Sequence, residues 1–197
     1  MFLNLDILEE IFKKNPILFH MLDKKRKTPL YFAASKGYTK GVRFLLSKFG
    51  QQALQSSTNG NFPIHIACKK GHIKLVKELL EQEWPNPIEL LNKEGQNILH
   101  VAAKSGEYTV VKTILECSKL EELLNAEDKN GNTALHLASM NLHALILCSL
   151  TWDKRIDLNR RNKEGLTALD IATGIRTYSW IRKVCYNILG ILAIMVH

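Results

Sequence analysis

A seven-residue phrase occurs five times along the 197-residue chain, and its spacing restricts the fold more than any other feature. The copies are Thr28-Pro29-Leu30-Tyr31-Phe32-Ala33-Ala34, Phe62-Pro63-Ile64-His65-Ile66-Ala67-Cys68, Asn97-Ile98-Leu99-His100-Val101-Ala102-Ala103, Thr133-Ala134-Leu135-His136-Leu137-Ala138-Ser139 and Thr167-Ala168-Leu169-Asp170-Ile171-Ala172-Thr173. Their fourth residues fall at 31, 65, 100, 136 and 170, so the steps are 34, 35, 36 and 34. A fixed period in this range marks a stacked repeat architecture. One unit cannot bury its apolar face alone, so neighbours share a continuous core, and function resides in a surface rather than a pocket.

Each period reads as two helices and a turn. Residues 63–69 form a short helix, with Pro63 at a first position where its missing N–H has no intrahelical partner to lose. Gly71 allows a sharp turn into a second helix whose apolar residues Ile73, Leu75, Val76, Leu79 and Leu80 recur at helical spacing, with Lys74, Lys77, Glu78 and Glu81 outward. The plan returns at Ala102, Gly106, Val110, Val111, Ile114 and Leu115, and at Ala33, Gly37, Val42, Leu45 and Leu46. Between helix pairs stand Thr58-Asn59-Gly60, Lys93-Glu94-Gly95, Lys129-Asn130-Gly131 and Lys163-Glu164-Gly165, which suit tight turns with positive φ. The expected fold is an all-α solenoid of stacked helix pairs with projecting hairpin or turn loops.

These residues resemble the ankyrin repeat family, whose Gly-x-Thr-Pro-Leu-His-x-Ala-Ala pattern followed by Gly-His is matched closely over residues 60–72. The resemblance covers roughly residues 23–175, with repeats starting near 23, 57, 92, 128 and 162. The longer repeats and the run Asn97–Gly106 are most similar to plant ankyrin proteins of the accelerated-cell-death type, which carry membrane-spanning segments after the repeats. Departures from the pattern are Arg26 at a turn-glycine position, Leu142 at an inter-helix glycine position, and Tyr31 and Asp170 in place of His. Residues 1–22, with Ile7, Leu8, Ile11, Phe12 and Asn15-Pro16, read as an outer helix without its inner partner, as if the chain began mid-repeat.

The formal net charge of +8 is uneven: residues 1–50 carry 10 Lys/Arg against 4 Asp/Glu, and residues 151–197 carry 8 against 4. Basic ends around a near-neutral middle do not resemble the continuous stripe that tracks a nucleic-acid backbone, and acidic protein partners or an anionic membrane surface fit at least as well. Cys68, Cys117, Cys148 and Cys185 have no CxxC spacing and read as reduced thiols in a cytosolic chain. No phosphate-binding glycine loop, nucleophile elbow or zinc-protease motif occurs, and no cofactor, metal or small-molecule substrate is expected. His65, His100 and His136 recur in register, but stacked helices lie about 8–10 Å apart, too far for imidazoles to share a zinc ion at about 2 Å. They read as structural, hydrogen-bonding within their own turns, as do His72 and His143. The chain is therefore expected not to be an enzyme.

The ankyrin resemblance implies binding by loop tips and by the exposed face of the inner helices. Carried onto this sequence, the candidate partner-binding residues are Lys24, Lys25, Arg26, Lys36, Lys69, Lys70, Lys104 and Met140. The lysines among them suggest a basic groove for an acidic partner segment; a solvated lysine face that keeps the protein soluble is the other reading. After Thr173 the pattern dissolves into a tail with a 13-residue apolar run, Val184–Val196, shorter than the roughly 17–25 residues of a membrane span. A capping helix, an interfacial helix contacting membrane through Trp180, Arg182, Lys183, Ile188 and Leu189, and a truncated first span all remain open. The plant resemblance implies a cytoplasmic protein at the plasma membrane, acting in stress or defence signalling.

Overall fold

Thr28 shows how each repeat starts. Its backbone is extended, its hydroxyl accepts the Tyr31 N–H at 3.0 Å, and Pro29 opens the helix behind it. Further along, without the proline, Asn97 accepts the His100 N–H at 3.0 Å and Thr133 forms a capping box with His136. The computed structural model describes residues 5–81 and 85–174, which fall into an N-terminal unit up to Lys93 and a C-terminal unit from Glu94. All regular structure among the described residues is helical.

The N-terminal unit contains α1 (Leu5–Lys14), α2 (Pro29–Ser35), α3 (Thr39–Phe49), α4 (Pro63–Lys69) and α5 (Ile73–Leu80), with 3-10 turns at Pro16–His20 and Gly50–Leu54. Inner helices α2 and α4 pack side by side, and each pairs with the outer helix that follows it. Ala34, Ala67 and Cys68 are fully buried, because small side chains let inner helices approach closely. Leu30, Val42, Leu45, Leu75 and Val76 fill the space between the helix rows, each contributing about 1.5–3 kcal/mol of apolar burial. Helix α1 has no buried residue of its own and meets α3. Phe12 stands edge-on to Phe19, Phe44 and Phe49, with ring centroids 5.6–6.0 Å apart.

The C-terminal unit contains α6 (Ile98–Ser105), α7 (Tyr108–Glu116), α8 (Ala134–Met140), α9 (Ala144–Trp152) and α10 (Ala168–Gly174), with a 3-10 turn at Ser118–Leu123. Inner helices α6, α8 and α10 form one row, and α7 packs on α9 in the other. Ile98, Leu99, Ala102, Ala103, Val110, Val111, Ile114, Ala138, Leu147 and Leu150 are fully buried.

The loops between helix pairs are closed turns rather than strands. In the second loop the Ser57 N–H donates to Asn61 O at 3.0 Å and the Gly60 N–H to Ser57 O at 2.8 Å. Gly60 has φ +74°, and a Cβ there would run into the Lys93 backbone nitrogen of the next loop, so both the angle and the space demand glycine. The expected departures at Arg26 and Leu142 keep the backbone and change only the residue: both adopt φ +57° in the left-handed region, at a cost of about 1–2 kcal/mol. Successive loops are linked by backbone hydrogen bonds. These are Thr58 N–H to Lys25 O (2.9 Å) and Lys93 N–H to Asn59 O (3.2 Å) in the N-terminal unit. In the C-terminal unit they are Lys129 N–H to Glu94 O (2.9 Å) and Lys163 N–H to Asn130 O (3.0 Å).

No helix among the described residues is long and apolar enough to cross a membrane. The tail residues Trp180, Arg182, Lys183, Ile188 and Leu189 lie outside the described residues.

Candidate interaction surface

The recurring histidines do more than the sequence suggests. In the C-terminal unit, His100 Nδ1 accepts the Asn97 N–H at 3.3 Å, within its own turn as expected. Its Nε2 lies 3.0 Å from Asn132 O, in the loop of the following repeat. His136 repeats this, with Nδ1 on Thr133 N–H (3.2 Å) and Nε2 3.1 Å from Leu166 O. An imidazole with Nε2–H and a bare Nδ1 satisfies both ends, so each His staples one repeat to the next loop. Burial holds both below the ordinary imidazole value and keeps them neutral. With both nitrogens engaged, neither ring has a lone pair to offer a ligand.

The two replacements follow the same geometry. Tyr31 is buried, which raises its hydroxyl above the ordinary value, and the Ser57 side chain of the next loop lies beside it. Asp170 accepts from Thr167 N–H and Oγ1 at 2.9 and 2.8 Å, completing the turn, but a carboxylate has no N–H for a following carbonyl. His72 Nε2 lies 3.0 Å from Ser35 O and His143 Nε2 3.2 Å from Lys104 O, each bracing the preceding inner-helix end. Burial pushes the Cys68 thiol far above its ordinary value, so it is inert packing. Cys117 and Cys148 are free thiols at partly buried positions. Among the described residues no group of three His, Cys, Asp or Glu side chains could hold a metal ion.

The candidate binding residues are distributed unequally. In the N-terminal unit the first loop is shaped by Asp23, whose Oδ1 accepts the Lys25 and Lys27 N–H groups, both at 2.8 Å. That turn leaves Lys24, Lys25 and Arg26 exposed. Lys36 caps α2, and Lys69 and Lys70 end α4; all three are exposed and none makes an ion pair among the described residues. Cations at helix C-termini gain about 0.3–1 kcal/mol from the helix dipole, which rewards their placement but leaves the ammonium groups open. Residues 24–36 hold five cations and no carboxylate.

The C-terminal unit differs. Lys104 Nζ lies 3.0 Å from Glu94 Oε2, so this candidate is already paired. Met140, the last residue of α8, is 39% exposed with no cation beside it in sequence.

Sequence reasoning missed Phe32. It occupies the row of Ile66, Val101 and Leu137, which are 8%, 5% and 4% exposed, yet it is 45% exposed. Lys27 Nζ stands 5.3 Å from the Tyr31 ring centroid and 5.7 Å from that of Phe32. The available signal was the row itself: aliphatic residues in four copies and an aromatic in the first.

Comparison with known proteins agrees with this geometry. A family model described as ankyrin repeats (three copies) matches residues 50–122, and one described as ankyrin repeats (many copies) matches residues 119–172. Protein ACCELERATED CELL DEATH 6 of Arabidopsis thaliana is 36% identical over 169 residues, 86% of this chain. The chain spans only 25% of the length of that relative. The probable 26S proteasome regulatory subunit p28 of Saccharomyces cerevisiae is 27% identical over 168 residues, covering 82% of this chain and 71% of that protein. Among solved structures, a chain in the complex of the Bd0816 predatory endopeptidase from Bdellovibrio bacteriovorus with immunity protein Bd3460 superposes with a TM-score of 0.72. It is 26% identical, over 93% of this chain and 92% of that one. The stapled loops, the two rows of helices and these matches agree: the chain belongs to the ankyrin repeat family, the all-α solenoid of stacked helix pairs with projecting turn loops.

Proposed function

We propose that this chain is a non-enzymatic protein-interaction module whose N-terminal unit holds an acidic segment of a partner. The observation that carries this reading is the set of exposed cations Lys24, Lys25, Arg26, Lys36, Lys69 and Lys70 on loop and inner-helix ends, without an ion pair among the described residues, set against the paired Lys104. A rigid surface loses little entropy on binding, and affinity comes from a few anchors rather than from total area. Exposed cations steer an acidic partner and set its register. The resemblance to plant ankyrin proteins supports a role in stress or defence signalling, in the cytoplasm at the plasma membrane. Fractionation of cells expressing the chain with and without residues 176–197 tests that location; a full-length protein found only in the soluble fraction would remove it.

The test of the binding reading is the triple substitution Lys36→Glu, Lys69→Glu and Lys70→Glu. It is expected to weaken capture of acidic peptides at least about 30-fold while thermal unfolding stays near wild type, because exposed charges contribute little to stability. Unchanged capture would overturn the assignment.

A further inference from the structure

We infer that the partner segment presents an aromatic side chain to Phe32, flanked by carboxylates that meet Lys27 and Lys36; this rests on the acidic-segment reading above. Phe32 is the reason. In the same row Ile66, Val101 and Leu137 are buried, so the repeat needs only an aliphatic side chain there. At Phe32 the fold instead leaves 45% of a large aromatic in water.

Its surroundings separate it from an ordinary exposed apolar residue. Lys36 follows at i+4, on the same face of α2, and Lys27 holds its ammonium 5.7 Å from the ring centroid. Lys70 holds the corresponding position one repeat on, at the end of α4, which packs against α2. Phe32 is thus an apolar centre with cations around it and no carboxylate from residue 24 to residue 36.

That arrangement is complementary to an aromatic residue between acidic ones. The incoming ring covers Phe32 edge-on or offset, and its own face accepts the Lys27 ammonium. The flanking carboxylates pair with Lys27 and Lys36, which make no ion pair among the described residues. A purely acidic segment leaves Phe32 wet, and a purely apolar one leaves the lysines desolvated without a counter-charge.

The experiment uses the full chain and two labelled synthetic 13-residue peptides of Glu and Ser, one with a central Trp and one with a central Ala, read by fluorescence anisotropy. Wild type is expected to bind the Trp peptide about tenfold more tightly than the Ala peptide. Phe32→Ala should bring the two affinities within about twofold while leaving the Ala peptide unchanged, and Phe32→Tyr should retain most of the difference. Because Phe32 is half exposed, a near-native thermal midpoint in both variants confirms that folding is intact. Equal binding of the two peptides by wild type overturns the aromatic anchor and leaves the acidic reading standing. Binding of neither peptide overturns both. Displacement of the Trp peptide by a single-stranded oligonucleotide or phosphatidylserine vesicles, at lower concentration than unlabelled peptide, also overturns the inference, because the anchor would then serve another polyanion.

Discussion

Residues 1–93 carry 15 Lys/Arg against 8 Asp/Glu, whereas residues 94–197 carry 12 against 11. The two units also spend those charges differently. Among the described residues of the N-terminal unit the ion pairs are Lys14–Glu10 and Arg43–Glu78, which leave the loop and inner-helix cations open. In the C-terminal unit Lys104, Lys112, Arg155, Arg160 and Arg161 each have a carboxylate within 4.0 Å. The loops differ too: Tyr31 sets its hydroxyl beside Ser57 of the next loop, whereas His100 and His136 each reach the next loop through Nε2 and bond their own turn through Nδ1. Both units are built from the same helix pairs. Apolar rows and loop bonds hold the stack together, so exposed charge is free to diverge without loss of fold. Among the described residues, one unit leaves its loop and inner-helix cations open, and the other pairs five of its cations with carboxylates.

The largest expected effect probes the staples. His100→Ala should destabilise the protein by about 3 kcal/mol in urea unfolding, because it opens a cavity and strands Asn132 O and the Asn97 N–H. Tyr31→Phe removes only the hydroxyl beside Ser57 and should cost at most about 1 kcal/mol. Equal costs would break the contrast between the two kinds of staple.

Acidification sharpens the same contrast. His100 and His136 have folded values below the ordinary 6.5, so above that pH both folded and unfolded chains hold them neutral and their contribution is complete. As pH falls below 6.5 the unfolded chain takes up protons that the folded one resists, and stability is lost. The melting temperature should therefore drop between pH 7.5 and 5.5, with hydrogen exchange rising first at the Asn97 and Thr133 amides. A melting temperature flat across that range would show that these rings are not held neutral.

A smaller gain is expected from Ser139→Ala. The Ser139 hydroxyl is buried without a hydrogen-bond partner among the described residues, in a row that holds Ala34, Cys68 and Ala103 in the three copies before it. Removing it should stabilise the C-terminal unit by about 1 kcal/mol, read as a raised urea midpoint at unchanged slope. The smallest effect concerns charge. Glu94→Gln frees Lys104 and should raise affinity for an acidic peptide by about twofold, the scale of one exposed ion pair. A large gain would mean that the C-terminal unit is a binding surface held in check by its own carboxylate.

Much of the architecture was legible in the sequence because period and helical spacing are local. The Pro63 start, the Gly71 turn and the Ile73–Leu80 helix appear where the pattern puts them. Arg26 and Leu142 could be recognised as intruders at glycine positions, and the fold accepts them by straining their φ angles rather than by reshaping the turns. The candidate surface was legible only in part. Lys36 and Lys104 look equivalent in the repeat register, and only the approach of Glu94 to within 3.0 Å separates them.

By itself, the sequence determined the repeat unit, the inner and outer helices, and which residues face the stack, since these follow from apolar periodicity and turn chemistry within some 35 residues. The tertiary structure alone decided the second half of each histidine's hydrogen bonding, the exposure of Phe32 and the pairing of Lys104. The hydrogen bonding and the ion pairing depend on an atom brought in from elsewhere in the chain: the Asn132 carbonyl 32 residues from His100, or the Glu94 carboxylate ten residues before Lys104. Hydrogen bonds and ion pairs are short-range, so register can say which row a side chain joins, but only the packed fold says what it meets there.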